Sequence, residues 1–557
     1  MAPVRDSERG HVQTLSQVLE CLAERGGRAE VVFPATGERL AHRDLPGRAW
    51  GVAERFLLAG LGPGDLVGVL VGTEPDFLPG VFGVWAAGGA VTVLPVPPFP
   101  VPAEELARRL APVAGRVRYL LVSPALREVA SALAGLLPAL VVIETQGCPT
   151  RSGPVSGVAP EPGARAIVQF TSGSTSRPKG VVLSHAAVLA CCASTEEAST
   201  VHERDVLVAW VPLFHDFGLI TLLISVWLGF EAHLFEARRF MRRPLEVVEY
   251  LGQIGATVFG GPNFAYDHLL AAGAAGATAT LDLRAWRMAM NGGEPVKPST
   301  VEAFSRAMAP AGVGPEVMFP VYGMAEAVMS VACPAPGRPA RVLWVDRQEL
   351  ADRGVVVPVS AGAAGAGGLV GVGRPVPGLS VRLVDDSHAL VADGHVGDIE
   401  LRGAAVTTGY LNDTAATAAA FHEGWFKTGD RGVRVDGDLF VVGRSKDMII
   451  VGGRNFYAED VEDIVRGLPQ IHRGRCVAVA DLDRERLALV AEAEPGPATA
   501  SLAGEIRSRL SANLELSAVD VHLVPPGTLP RTSSGKWQRQ LTGKLLGVLT
   551  RPEPPVQ

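Results

Sequence analysis

Short apolar runs alternate with stretches of helical period through the first half of this chain, and that alternation most limits what it can fold into. Leu66-Val-Gly-Val-Leu70, Tyr119-Leu-Leu-Val122, Leu140-Val-Val-Ile143 and Val206-Leu-Val-Ala209 have the length of buried strands. Residues 104–112 and 126–136 carry helical patterns between such runs. Leu15, Val18, Leu19 and Leu22 recur at helical spacing and predict an amphipathic helix over 12–25. Strands alternating with helices build parallel sheets covered on both faces, so the predicted fold class is α/β. A chain of 557 residues, 47% hydrophobic, exceeds one ordinary core and predicts at least two domains. The run Pro95-Val-Pro-Pro-Phe-Pro-Val-Pro102 lacks the N–H donors of a regular element and predicts an extended connector. The Ala/Gly stretch 361–368 reads as an exposed loop. After it come shorter β-type runs such as Gly397-Asp-Ile-Glu-Leu-Arg402, and a last section with mixed helix and strand signals begins near 444.

Several function classes fall away. A formal charge of −7 argues against a nucleic-acid binder, which carries a basic face. The opening MAPVRDSERGHVQ is polar, and no apolar run has the length of a membrane span. Cysteines 21, 148, 191, 192, 333 and 476 form no C-x-x-C pair, as expected of reduced thiols in a cytoplasmic protein. His42-Arg-Asp-Leu45 and Asp216-Phe-Gly218 imitate protein-kinase strings. Their aspartates lie too far apart along the chain, and no V-A-I-K strand precedes them. There is no G-x-S-x-G elbow for a serine hydrolase.

One loop has the ingredients of a polyphosphate grip. Thr171-Ser-Gly-Ser-Thr-Ser-Arg-Pro-Lys-Gly180 lies between two apolar runs. Glycine lets backbone N–H groups turn toward an anion, hydroxyls donate hydrogen bonds, and lysine supplies charge. It is not a Walker A loop, because Lys179 precedes Gly180 and Val181 follows. Alone, the stretch fits a solvated Ser/Gly turn equally well.

Five further stretches follow in order: Asn291-Gly-Gly-Glu-Pro295, Tyr322-Gly-Met-Ala-Glu326, Thr428-Gly-Asp430, Gly443-Arg-Ser-Lys-Asp447 and Pro530-Arg-Thr-Ser-Ser-Gly-Lys536. The set resembles the adenylate-forming superfamily of acyl-CoA synthetases, luciferases and peptide-synthetase adenylation domains, over residues 12 to 545. Within it the chain is most similar to the fatty acyl-AMP ligase branch. Ser176 stands where most of the superfamily has Gly, and Ala325 where many relatives have Thr. Val211-Pro-Leu-Phe-His-Asp-Phe-Gly-Leu219 and Gly453-Arg-Asn-Phe-Tyr-Ala-Glu-Asp-Val-Glu462 match that branch's signatures. Val342-Leu-Trp-Val-Asp-Arg-Gln-Glu-Leu350 and the Gly-rich stretch after it, within 334–372, lie where the branch carries its insertion.

The resemblance implies a large multi-lobed N-terminal adenylation domain with parallel sheets (1–443) and a smaller mobile α+β C-terminal domain (444–557). It implies ATP and Mg²⁺ as cofactors and a carboxylic, fatty acid as substrate. Thr171, Ser172, Gly173, Ser174, Thr175 and Lys179 would hold the phosphates, and Thr175 and Glu326 the Mg²⁺. Gly293, Glu294, Pro295, Tyr322 and Gly323 would form the adenine site, and Asp430 and Arg444 the ribose site. Lys536 would bridge the acyl carboxylate and the α-phosphate. Lys446 would be the hinge and His215 the gate of an acyl pocket lined by Phe214, Phe217, Phe264 and Met324. Outside their motifs, Glu326 would ordinarily be a surface carboxylate, Lys536 a solvated lysine and His215 a packed core imidazole.

The branch passes its acyl group to the phosphopantetheine of a carrier protein. No D-S-L attachment site follows Lys536, so a separate acyl carrier protein is the expected partner. The Ala/Gly-rich texture of 334–372 leaves free CoA open as the acceptor. An amino-acid adenylating enzyme, with Asp216 near the pocket, and a non-catalytic acyl-adenylate binder are the other readings. Intact Lys179, Glu326, Asp430 and Lys536 weigh against the last.

Overall fold

The β–α alternation builds two seven-stranded sheets, seen in a computed structural model of the chain. The description covers residues 12–549, except 27, 156–158, 172–177, 274–275, 452–453, 482–485, 497–498, 500, 515–518 and 532–536. Leu66–Leu70, Tyr119–Val122 and Val206–Ala209 are strands with the expected ends, and the fourth expected strand is shifted by one residue to Val141–Glu144. The expected helices run Leu15–Arg25, Ala103–Ala114 and Arg127–Leu136. Thr14 and Gln17 close a capping box at the first of these, which fixes its start. Residues 95–102 form no regular element.

The chain divides into two compact units. The first takes residues up to 340, 372–381 and 401–426 and contains both large sheets. One sheet orders its strands Met318–Pro320, Met288–Asn291, Val258–Gly261, Val206–Ala209, Glu231–Leu234, Glu30–Phe33 and Glu38–Ala41, parallel except at the last pair. The other orders Gly409–Tyr410, Lys179–Ser184, Arg165–Thr171, Ala90–Val93, Leu66–Leu70, Tyr119–Val122 and Val141–Glu144. Its first two pairings are antiparallel and the rest parallel. One core serves both sheets and takes in helices Phe77–Ala86, buried at every position, and Asp216–Leu228. A helix apolar all round is stable only when covered on every side, and these two meet that condition. Trp85 anchors the core, donating from Nε1 to the Ala166 carbonyl at 2.8 Å.

The second unit takes 341–371, 382–400 and 427 onward. Strands Ile471–Asp481, Arg486–Ala493 and Val519–Val524 form one of its sheets, with helices Ala458–Arg466 and Leu502–Leu514 sharing one core against it. Segment 341–371 is a second place where structure and sequence differ. The Ala/Gly run expected as an exposed loop is one only over 361–365. Ala366–Val370 is a strand, paired antiparallel with Val342–Asp346. The apolar partner strand supplies the β-branched side chains that Ala and Gly lack. Between the strands stands helix Arg347–Arg353, capped by the Asp346 side chain on the Gln348 and Glu349 amides. Arg347 lies 3.3 Å from Asp460, so the segment is tied by charge to the last part of the chain. The expected boundary at 443/444 falls inside this unit, which runs without a break from 427 onward.

A buried ion cluster holds the same unit. Arg539 pairs with Glu462, lies 3.0 Å from Glu459 and 3.7 Å from Asp447. Glu462 also accepts from the Ala478 amide at 2.9 Å. Buried charges persist only when paired and hydrogen-bonded in this way.

Candidate functional site

Three parallel strands of the first sheet, Val206–Ala209, Met288–Asn291 and Met318–Pro320, run into sequence-predicted motifs at their carboxyl ends, and Val258–Gly261 between them leads to the expected pocket residue Phe264. In open parallel sheets ligands bind at those ends, where loops diverge. The strand ending at Asn291 leads directly into Gly292, Gly293, Glu294 and Pro295. The Val321 amide donates to the Asn291 carbonyl at 2.8 Å, which ties this motif to the one beginning at Tyr322. Gly293 has φ +81°, a left-handed conformation that favours glycine. The Glu294 carboxylate accepts from the Phe264 amide at 2.5 Å, at the amino end of helix Asn263–Gly273, where negative charge is favoured.

Tyr322 is buried and pairs with Ala332 across a short antiparallel ladder; Gly323 pairs with Ser330. A Cβ at Gly323 would stand 1.7 Å from the Met329 carbonyl oxygen, so only glycine fits. Met324 donates from its amide to the same carbonyl at 3.1 Å. The tight turn that follows puts Glu326 in a short 3₁₀ segment, Ala325–Ala327, and leaves Val328 at φ +62°. A β-branched residue at positive φ is strained, and such strain gathers at functional sites.

Strands Arg165–Thr171 and Lys179–Ser184 flank the loop expected to grip phosphate, with Thr171 paired opposite Lys179. Ser172, Gly173, Ser174 and Thr175 lie outside the described residues, as does Lys536. The Lys179 ammonium lies 5.0 Å from the ring centre of Tyr410. The Tyr410 hydroxyl donates to Glu326 Oε1 at 3.1 Å. Burial and the neighbouring Glu326 push the Tyr410 phenol up, so it stays protonated. Lys179 and Glu326, 147 residues apart in sequence, are thus joined through one tyrosine that sequence reasoning did not single out. Its sequence signal is slight, a glycine before an aromatic residue, Gly409-Tyr410.

Gln169 stands on the same hairpin and donates to the Phe214 carbonyl at 2.6 Å. It thereby fixes the corner that carries His215, the half-buried residue just before helix Asp216–Leu228. The Phe214 and His215 rings are 4.4 Å apart. Phe217 Cζ would lie 3.0 Å from a Cβ at Gly260, and Trp210 Cζ2 2.9 Å from one at Gly261. Phe264 packs edge-on against Trp210 at 6.1 Å. Three of the four expected acyl-pocket residues therefore gather around the corner and the end of strand Val258–Gly261; Met324 stands on the separate 322–329 turn.

In the second unit, Asp430 faces Arg444 across an antiparallel pair, with Arg444 Nε 3.0 Å from its carboxylate. The Thr428 hydroxyl accepts from the Asp430 amide at 3.0 Å and donates to the Ile399 carbonyl at 2.8 Å. Lys446 lies in the 3₁₀ turn Ser445–Asp447, directly after the strand that ends at Arg444.

The AMP-binding enzyme family matches residues 19–411. Medium-chain-fatty-acid–[acyl-carrier-protein] ligase JamA of Moorena producens is 36% identical over 67% of this chain and 66% of its own length. Long-chain-fatty-acid–AMP ligase FadD26 of Mycobacterium marinum is 30% identical over 90% of each chain. A solved structure from a study of fatty acyl-adenylate ligases from E. coli and L. pneumophila superposes with TM-score 0.88 at 26% identity. It covers 97% of this chain and 98% of that one. No helix among the described residues is long and apolar enough to cross a membrane.

Proposed function

This chain belongs to the AMP-binding enzyme family, and we propose that it activates a fatty acid with ATP to acyl-AMP and passes the acyl group to the phosphopantetheine thiol of a separate acyl carrier protein. The observation that carries the reading is the convergence of Lys179, Tyr410 and Glu326 beside the phosphate hairpin. A carboxylate oxygen bonds to the α-phosphorus, the bond to the bridging oxygen breaks, and pyrophosphate leaves with that electron pair. Two anions must meet, so catalysis is mainly positioning and charge stabilisation. Lys179 and the 171–175 hydroxyls and amides grip the departing pyrophosphate. Glu326 offers a hard oxygen ligand of the kind Mg²⁺ takes, with Thr175 as its partner; the ion, when bound, neutralises phosphate charge. Gly293 to Pro295, Tyr322 and Gly323 line the adenine, and Asp430 and Arg444 hold the ribose. Lys536, a point charge on a flexible stem, bridges the two reacting anions.

Around Lys446 the final section then turns, and the thiol attacks the acyl carbonyl and expels AMP. The ordered 341–371 segment, held to Asp460 by Arg347, favours a carrier over free CoA. So does the name of the JamA relative. His215 gates a fatty acyl pocket at the Phe214, Phe217 and Phe264 corner, with Met324 as a further lining residue. The same reading places the protein in the cytoplasm, with six cysteines that form no disulfide. The test is a chase. Acyl-AMP made on the enzyme from a labelled medium-chain acid is offered holo carrier protein or CoA in parallel. Faster discharge by the carrier supports the reading; faster discharge by CoA makes the protein an acyl-CoA synthetase.

A further inference from the structure

Lys179 and Glu326 carry opposite charges and share one site, yet each must stay available for a different part of the nucleotide. An ammonium and a carboxylate at close range pair with each other and lose much of their value to a ligand. Between them stands Tyr410. Its ring face lies 5.0 Å from the Lys179 ammonium, and its hydroxyl donates to Glu326 Oε1 at 3.1 Å. We propose that Tyr410 is a positioning residue that aims the Glu326 carboxylate at the metal and keeps Lys179 from pairing with it, leaving the lysine for phosphate. This rests on the adenylation reading above and adds to it a residue that no motif supplied.

The backbone around Tyr410 is fixed from three sides. Gly409 and Tyr410 form an edge strand against Lys179–Ser184, pairing Tyr410 with Val181, and the Leu411 amide donates to the Gly180 carbonyl at 2.7 Å. The Tyr410 amide donates to the Thr417 hydroxyl at 2.9 Å. Thr407 closes the frame: its amide donates to the Glu326 carbonyl and its hydroxyl to the Val182 carbonyl, each at 2.7 Å. Residues 407–410 therefore hold Glu326 at both ends, main chain by Thr407 and side chain by Tyr410, while gripping the strand that bears Lys179. A hydrogen bond from a neighbouring group orients a metal ligand, and losing one typically costs about 10–100-fold in metal affinity or activity. A protonated phenol can only donate to a carboxylate, which fixes the orientation of the bond.

Tyr410→Phe and Tyr410→Leu separate the two duties. Phe keeps the ring and the packing but removes the hydroxyl. The Mg²⁺ concentration for half-maximal ATP-dependent thermal stabilisation should rise about 10-fold or more, with the unliganded melting temperature unchanged. Leu also removes the ring, and should weaken pyrophosphate binding by a further factor of about 2–5. Pyrophosphate exchange is measured alongside. If Tyr410→Phe matches the wild type in its Mg²⁺ profile, the inference is overturned while the adenylation reading stands. If the wild type binds ATP with Mg²⁺ but shows no acid-dependent exchange, the adenylation reading falls and the binding profile still decides the role of Tyr410. If the wild type shows no Mg²⁺-dependent stabilisation by ATP, both fall.

Discussion

Gly323→Ala tests how the 322–329 turn holds Glu326. The added Cβ would stand 1.7 Å from the Met329 carbonyl oxygen. An uncompressed carbon–oxygen contact is about 3.3 Å, so the two strands must part by roughly 1.6 Å. Both partners are backbone, and no rotamer change relieves the clash. Overpacking of this kind typically costs about 1–3 kcal/mol, and a backbone clash belongs at the upper end. For a unit of this size that is a fall in Tm of roughly 5 °C. The functional cost is larger. Met324 donates to that same Met329 carbonyl, and Glu326 lies two residues further on. A displacement of about 1 Å in a catalytic constellation can cost about 10²-fold. The assay is acid-dependent ATP–pyrophosphate exchange with a thermal melt on the same preparation. Gly135→Ala is the control: it lies in helix Arg127–Leu136 with nothing within 4 Å of an added Cβ, and should be neutral or slightly stabilising. Exchange within twofold of the wild type and an unchanged Tm for Gly323→Ala would refute the reasoning.

Three further outcomes follow from the same structure. Arg539→Met leaves the buried Glu462 with Arg466, 3.1 Å away, as its remaining cation and should cost about 3 kcal/mol in urea unfolding, the low end for breaking a buried pair; Arg539→Met with Glu462→Met should recover much of it, and a double variant no more stable than the single would show that the charge is not the cause. His42 and His185 are buried, and burial lowers both to about 4. The unfolded chain therefore binds more protons below pH 6.5, stability is full above that pH, and each histidine costs roughly 2 kcal/mol on going from pH 8 to 5. His185→Gln, which keeps an acceptor for the Leu15 amide, should flatten the acid slope of Tm by about half that total, and an unchanged slope contradicts the assignment. Lys446→Pro should spare pyrophosphate exchange and block transfer to the carrier, whereas equal loss of both steps argues against a hinge.

What the sequence revealed depended on whether a signal was local. Leu66–Leu70 and Tyr119–Val122 were legible because every residue in them is buried, which leaves a continuous apolar run. Leu15, Val18, Leu19 and Leu22 marked the first helix by period alone, while the Thr14–Gln17 capping box that fixes its start came from the structure. Ala366–Val370 was not legible, since Ala and Gly carry no alternation; its strand exists because Val342–Asp346 lies beside it. The site divides in the same way. Glu294, Gly323, Glu326 and Asp430 stood out through their motifs. Tyr410 did not, because its importance comes from strand pairing with Val181 and a hydroxyl bond to a residue 84 positions away. The grouping of 341–371 with the final section was hidden for the same reason: Arg347 and Asp460 are joined only in space.

The most direct measurement is acid- and Mg²⁺-dependent ATP–pyrophosphate exchange by the wild type and by Lys536→Ala, across carboxylic acids of increasing chain length. Exchange with fatty acids is expected in the wild type, with a loss of roughly 10²–10³-fold or more in Lys536→Ala, the size of effect seen when a transition-state donor is removed. Undiminished exchange in Lys536→Ala, or none with any acid in the wild type, would contradict the adenylation reading.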